Sequence, residues 1–187
     1  MQRRRFLLSA ACAAPLLTTA CSGNTLPREV SMTTQQLQAK VGSHFPKSYP
    51  VAGLLQLQLQ GPTLTMLPDR NQIQAVLPAV LAGSVLKQSF QGHLDVSFGL
   101  RYQASDRTVR AQQVRVNVLQ IDDAPPALSD MLVTYGPRLG EQVLENFVLY
   151  QLEEKDLALA DSVGLQPGAI TITPQGLTLA LDRKAAS

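Results

Sequence analysis

A strict alternation of apolar and polar residues through the middle of the chain constrains its fold more than any other feature. The apolar members of its clearest run share one face: Phe90, Leu94, Val96, Phe98, Leu100 and Tyr102. A period of two places successive side chains on opposite faces of a strand. Because the other face is polar, we predict antiparallel strands that are covered on one side only.

Neighbouring segments extend this pattern. Residues 55–67 read as two strands joined at Gly61, and a third strand follows that Pro78 interrupts. The strand predicted over 108–121 shifts its apolar phase by one residue, which is what a β-bulge produces, and bulges bend a strand. Residues 170–181 predict a C-terminal hairpin. The sheet is therefore expected to be strongly curved.

Two further segments have helical spacing. Either Ser31 or Thr33 can cap a short N-terminal helix, and Gln36 lies three residues after Thr33, which permits a capping box. From Leu128 to Val148 apolar residues recur every three or four positions, as in a long amphipathic helix. Pro137 predicts a kink or a break inside it.

The order of these elements predicts an α+β fold. A strongly curved antiparallel sheet is expected to wrap around the long C-terminal amphipathic helix, with the short N-terminal helix beside it. A shorter helix is predicted over about 153–163. Residues 31–187 are expected to form a single domain, since their number suits one core.

The N-terminus predicts export. Residues 1–20 combine three arginines, an apolar run from Phe6 to Leu17 and small residues before Cys21, which is typical of a secretory signal peptide. The apolar run is too short to span a bilayer. A cysteine at the expected cut site resembles the lipobox of bacterial lipoproteins. An ordinary signal peptide followed by an incidental cysteine is the alternative.

The lipobox resemblance implies where the protein is located in the cell. In that family the cysteine thiol is acylated and becomes the new N-terminus, so Cys21 would anchor the protein through a lipidated tether over 21–30. Ser22, by analogy with enteric bacteria, implies an outer-membrane anchor with the domain facing the periplasm. The run from Arg3 to Leu7 resembles a twin-arginine signal, and it leaves both export routes open.

Composition and motifs exclude several functions. Removal of residues 1–20 leaves 13 basic against 14 acidic residues, which argues against nucleic-acid binding. The Gly-x-Ser-x-Gly motif of serine hydrolases does not occur. His93 and Asp95 point the same way, and a solvated pair is favoured over a metal or proton-transfer site. We therefore expect no catalytic residues, metal or cofactor, and a protein that is not an enzyme.

Several apolar and turn segments together resemble the YceB-like periplasmic lipoproteins. These segments are 32–37, 55–67, 144–147 and 165–170. The resemblance implies a fold like half of a TULIP lipid-binding module, and it supplies no active-site residues. We therefore expect a lipid or other apolar ligand in a groove between sheet and helix. Its expected lining is Phe90, Leu94, Val96, Phe98, Leu100, Met131, Tyr135 and Leu139. A structural or partner-binding lipoprotein with a fully packed core is the alternative, and its protein partner is unknown.

Overall fold

The computed structural model describes residues 29–51 and 53–183. The predicted signal peptide, Cys21 and the tether as far as residue 28 lie outside the described residues. A 3-10 turn over Pro68–Arg70 and the following elements make up the fold: β1 Glu29–Thr33, α1 Thr34–Gly42, β2 Lys47–Val51, β3 Leu55–Leu59, β4 Thr63–Leu67, β5 Gln72–Gly83, β6 Phe90–Gln103, β7 Thr108–Ile121, α2 Pro126–Leu144, β8 Val148–Gln151, α3 Glu154–Ser162, β9 Leu165–Thr173 and β10 Gly176–Arg183.

The larger sheet is antiparallel in the order β2-β3-β5-β6-β7-β8, and β4 also pairs with β5. The first part of β5 pairs with β4 and the last part with β3, so β5 changes partner near Pro78. Proline lacks an N–H, so it is tolerated at a strand position where no neighbouring strand needs that hydrogen bond. The predicted interruption at Pro78 is therefore wrong, because β5 runs through it to Gly83.

Two register shifts between β6 and β7 bend the larger sheet. They lie between Asp95 and Val96 and between Ser97 and Gly99, and Gln113 on β7 has φ 53°. The phase shift predicted in 108–121 is thus confirmed as a bulged pairing. The sheet curls into a half-barrel.

A smaller sheet, in the order β1-β10-β9, faces the apolar side of the larger one. The predicted C-terminal hairpin is confirmed as β9 and β10, and β1 adds to it from the other end of the chain. Ile170, Ile172 and Leu179 of this sheet pack in one core with Leu37 and Val41 of α1 and with the apolar faces of β5 and β6.

The predicted fold class is wrong in its central feature. The chain is mostly β, and no sheet wraps around a long C-terminal helix in the described residues. α2 ends at Leu144, since residues 148–151 form β8 on the edge of the larger sheet. The concave face is covered by α1 and the smaller sheet, whose side chains pack against it in place of a long helix.

α2 lies instead on β7, with one face turned to solvent. A Cβ at Gly136 would come within 2.5 Å of Leu119 Cδ2, and one at Gly140 would come 3.0 Å from Val116. This close approach explains why residues 136 and 140 are glycines. The predicted break at Pro137 does not occur, since the helix runs through it. No helix among the described residues combines the length and apolar character needed to cross a bilayer.

Side-chain amides fix α1 in place. The predicted capping box is confirmed: Gln36 N–H donates to Thr33 Oγ1 over 3.2 Å, and Thr33 N–H donates to Gln36 Oε1 over 2.9 Å. Gln38 then accepts from the Leu64 N–H at 2.9 Å and donates to the Pro62 carbonyl. This pair of Gln38 hydrogen bonds is here called a clamp. Since β4 is an edge strand, the clamp also satisfies backbone groups that would otherwise be open to pairing.

Asn71 joins the two sheets. It lies in the left-handed region with φ 52°, which asparagine tolerates better than most residues. Its Nδ2 donates to the Ile170 carbonyl over 3.1 Å, and its Oδ1 accepts from the Ile172 N–H over 2.7 Å. One side chain on the β4–β5 connection therefore satisfies two backbone groups of β9.

We expect Asn71→Ala to lower the free energy of unfolding by about 2–4 kcal/mol, from two lost hydrogen bonds and left-handed strain. Asn71→Gly removes the side-chain amide but introduces no left-handed strain, so the free energy of unfolding should fall by about half as much. Chemical denaturation measures both. Asp123→Ala, at an exposed residue with φ 53°, controls for strain alone. Equal losses in Asn71→Ala and Asp123→Ala would contradict a stabilising role for the two Asn71 hydrogen bonds.

Candidate functional site

The space between the two sheets contains an apolar cavity of about 400 Å³, here called the inter-sheet cavity. The smaller sheet forms one wall, β6, β7 and β8 form the opposite wall, and α1 and α3 lie alongside. Its lining residues are Val30, Met32, Leu37, Lys40, Leu100, Val109, Leu149, Tyr150, Leu152, Leu157, Ala160, Val163, Leu165, Ile170, Leu177, Leu179 and Leu181.

The walls follow from the local sequence pattern. Leu177, Leu179 and Leu181 alternate along β10 and so present one face to the cavity. On α3, Leu157 and Ala160 are three residues apart and therefore lie on one side of the helix. Val30 at 51% and Val163 at 37% exposure show where the cavity meets solvent.

The size of the inter-sheet cavity suits a ligand. Ligand pockets generally enclose about 300–1,000 Å³, and an engineered apolar cavity of about 150 Å³ already binds benzene. Water would find few partners here, since Lys40 and Tyr150 are the residues of the described lining with polar side-chain atoms. A bound apolar ligand would replace water that lacks hydrogen-bond partners here.

The polar part of the lining consists of Lys40 and Tyr150. Lys40 comes from α1 and Tyr150 from β8, and the Lys40 ammonium lies 4.1 Å from the centroid of the Tyr150 ring. This is a cation–π contact. Lys40 is half-buried and contributes to the cavity lining. Such a lysine keeps its apolar stem covered and its charge at the water boundary.

A second space of about 50 Å³ lies deeper in the curled sheet. Val96, Phe98 and Tyr49 contribute to its lining, and burial raises the pKa of the Tyr49 hydroxyl above its ordinary value. This volume is too small for an acyl chain or a drug-sized ligand. The inter-sheet cavity is therefore the candidate site.

The structure separates the eight residues predicted to line a groove. Leu100 lines the inter-sheet cavity, whereas Val96 and Phe98 line the smaller space. Phe90 and Leu94 are buried in the core. The three residues predicted from α2 are exposed on its outer face: Met131, Tyr135 and Leu139.

Asp95, one of the polar pair singled out in the sequence, is part of an amide network. Asp95 accepts hydrogen bonds from Gln74 Nε2 at 2.8 Å and from Asn117 Nδ2 at 2.9 Å. Pairing in the sheet places His93 beside Pro78 and Gln120. Across residues 29–51 and 53–183, no group of three His, Cys, Asp or Glu side chains is placed to hold a metal ion.

Sequence reasoning missed most of the cavity lining. The residues from β1, β8 and α3 belong to short segments, and their part in a common wall depends on contacts between distant parts of the chain. One signal was available: the alternating leucines of β10 opposite Ile170 predict an apolar face that needs a covering layer. Lys40 carried no such signal, because a lysine on a short helix is usually a solvated surface residue.

Comparisons with known proteins add little. No family model matches the chain, and no curated protein matches it. A solved structure described as the crystal structure of lipopolysaccharide binding protein is similar, with a TM-score of 0.31 and 15% sequence identity. The match covers 85% of this chain and 51% of that one, so this chain spans about half the length of that protein. A TM-score this low does not establish a shared fold, and the YceB-like and TULIP-like resemblance stays a prediction.

Enlarging a side chain tests whether the inter-sheet cavity has room. Ala160→Leu should leave the free energy of unfolding unchanged or raise it, because the larger side chain extends into the cavity. Ala79→Leu, at a residue 1% exposed in the packed core, should cost about 1–3 kcal/mol. Denaturant titration compares the two. A similar loss in both variants would mean that the cavity is already packed.

Proposed function

We propose that this protein is a membrane-anchored lipoprotein of the bacterial envelope that binds a lipid or other apolar ligand in the inter-sheet cavity. The proposal assigns it no catalytic step. The single observation that carries it is a space of about 400 Å³ whose described lining is apolar except for Lys40 and Tyr150. A flexible acyl chain fits such a lining, since it needs apolar contact along its length and few hydrogen bonds.

The predicted lipid anchor supports the same function. Acylated Cys21 would precede the first described residue, Glu29, by eight residues. Eight fully extended residues span roughly 30 Å at most, so the tether would keep the domain beside the bilayer. Stable anchoring takes more than one acyl chain, and the lipobox resemblance implies three. A domain held there would meet lipids at high local concentration.

The outer face of α2 favours a second candidate function, which is binding of a protein partner in an envelope complex. Met131 is 37% exposed, Tyr135 62%, and Leu139 and Val143 57% each, and each lies four residues from the next. Adjacent exposed apolar side chains of this kind often mark interaction sites. This face is separate from the inter-sheet cavity lining, so the two candidate functions do not compete for the same residues.

Ligand binding is tested by displacing a fluorescent fatty acid from the purified domain with chains of increasing length. Each buried methylene contributes about 0.8 kcal/mol, so affinity should rise about fourfold per methylene until the chain fills the cavity. Ala160→Phe should weaken binding at least tenfold by occupying the space. Ala158→Phe, at an exposed residue on the same helix, should not. Binding that both variants leave unchanged would rule out this site.

The anchor is tested by the intact mass of the protein extracted from its own membranes. Loss of residues 1–20 and acylation of Cys21 are expected, with the protein in the membrane fraction. Cys21→Ser should move the protein into the soluble fraction, because the thiol that carries the lipid is gone. A mature protein with Cys21 removed or unmodified would contradict the proposed anchor.

A further inference from the structure

We propose that the inter-sheet cavity selects single-chain ligands with an anionic head, and that the Lys40 ammonium binds that head. This inference rests on the proposed function and adds the chemical class of the ligand. The head is a carboxylate or a phosphate monoester, since both offer anionic oxygens to an ammonium. The apolar chain would run from Lys40 along Leu37 toward Ile170 and Leu179 on the smaller sheet.

The backbone around Lys40 is fixed before any ligand arrives. Its carbonyl accepts a hydrogen bond from Ser43 Oγ at 2.7 Å and lies 2.9 Å from His44 Nδ1. Gln38, two residues earlier, holds the helix against β4. The first two contacts close the end of α1 and Gln38 fastens the helix to β4, so the Lys40 side chain leaves from a defined point on the cavity wall. A preformed site of this kind gives up little conformational freedom on binding.

The charge of Lys40 has no carboxylate partner among the ion pairs of the described residues. Those ion pairs are Arg107–Glu154 and Arg110–Asp106, and neither involves Lys40. Lys40 contacts the face of the Tyr150 ring, which orients an ammonium without neutralising it. A half-buried positive charge beside an apolar cavity attracts an anion more strongly than one in open water.

Lys47 makes the same type of aromatic contact as Lys40 but lies away from the inter-sheet cavity. Its ammonium lies 4.9 Å from the centroid of the Phe147 ring, so it makes the same type of contact. Lys47 is also half-buried, yet it does not line the inter-sheet cavity. A general attraction of lipid anions to lysines would involve both residues equally. A head-binding site would depend on Lys40 alone, which makes Lys47 the matched control.

The experiment compares ligands of one chain length that differ only in their head. Dodecanoate, dodecyl phosphate and dodecanol are titrated against the domain below their micelle concentrations, by displacement of a fluorescent probe. Wild type should bind one or both anions at least tenfold more tightly than dodecanol, since a charge-assisted contact is lost in the alcohol. Tighter binding of dodecyl phosphate would indicate that the head is a phosphate, and tighter binding of dodecanoate would indicate a carboxylate.

Lys40→Gln should abolish this preference while leaving dodecanol affinity within about twofold. Lys40→Arg should retain the preference, and Lys47→Gln should match wild type. Thermal unfolding establishes that each variant is folded. If Lys40→Gln does not fold, Lys40→Met takes its place, because methionine preserves the apolar stem.

Two results would overturn the head-binding role while leaving the proposed function intact. In one, wild type binds all three ligands with similar affinity. In the other, the preference for anions survives in Lys40→Gln or disappears in Lys47→Gln. If none of the three ligands binds wild type, dodecanol included, the proposed function itself fails and the inference fails with it.

Discussion

The structure depends on two sheets that face each other through their apolar sides but are fastened by only a few polar contacts. Asn71 ties the β4–β5 connection to β9, and Gln38 ties α1 to β4. Where these clamps hold, Ile73 and Ile172 pack into a core with almost no exposure. Farther along the smaller sheet, the inter-sheet cavity remains between the layers, with α1 and α3 alongside it. Apolar burial thus holds the layers together, and the clamps determine where they close.

The position of α2 follows from the same arrangement. Side chains from α1 and from the smaller sheet pack against the concave face of the larger sheet, whereas α2 covers β7 and reaches the core through Leu128, Leu132 and Leu144. Gly136 and Gly140 let the helix backbone come close to β7, which leaves the rest of its apolar stripe in water. The chain therefore offers two different apolar features, an interior cavity and an exterior helix face. The first suits a small ligand and the second suits a protein surface.

Local structure was largely predictable, and the arrangement of the layers was not. The bulge in β7, the Thr33 capping box and the closing hairpin each produce a short-range pattern of period or composition, and all three are confirmed. β1 and β8 are four or five residues long without clear alternation, and each pairs with a longer strand, β10 or β7. Met32, for example, pairs with Leu177. The stripe on α2 looks the same whether it faces a sheet or solvent, so periodicity could not place the helix. The cavity likewise depends on the separation of two sheets, which no local pattern encodes.

The position of a bound acyl chain tests most directly whether the inter-sheet cavity is the binding site. Isotope-filtered nuclear Overhauser spectra of the domain with carbon-13-labelled dodecanoate would report which methyl groups touch the ligand. Binding in the inter-sheet cavity should give contacts from the chain to Leu157, Ile170 and Leu179. Contacts to Met131 and Leu139 on the outer face of α2, with none to the cavity methyl groups, would contradict it.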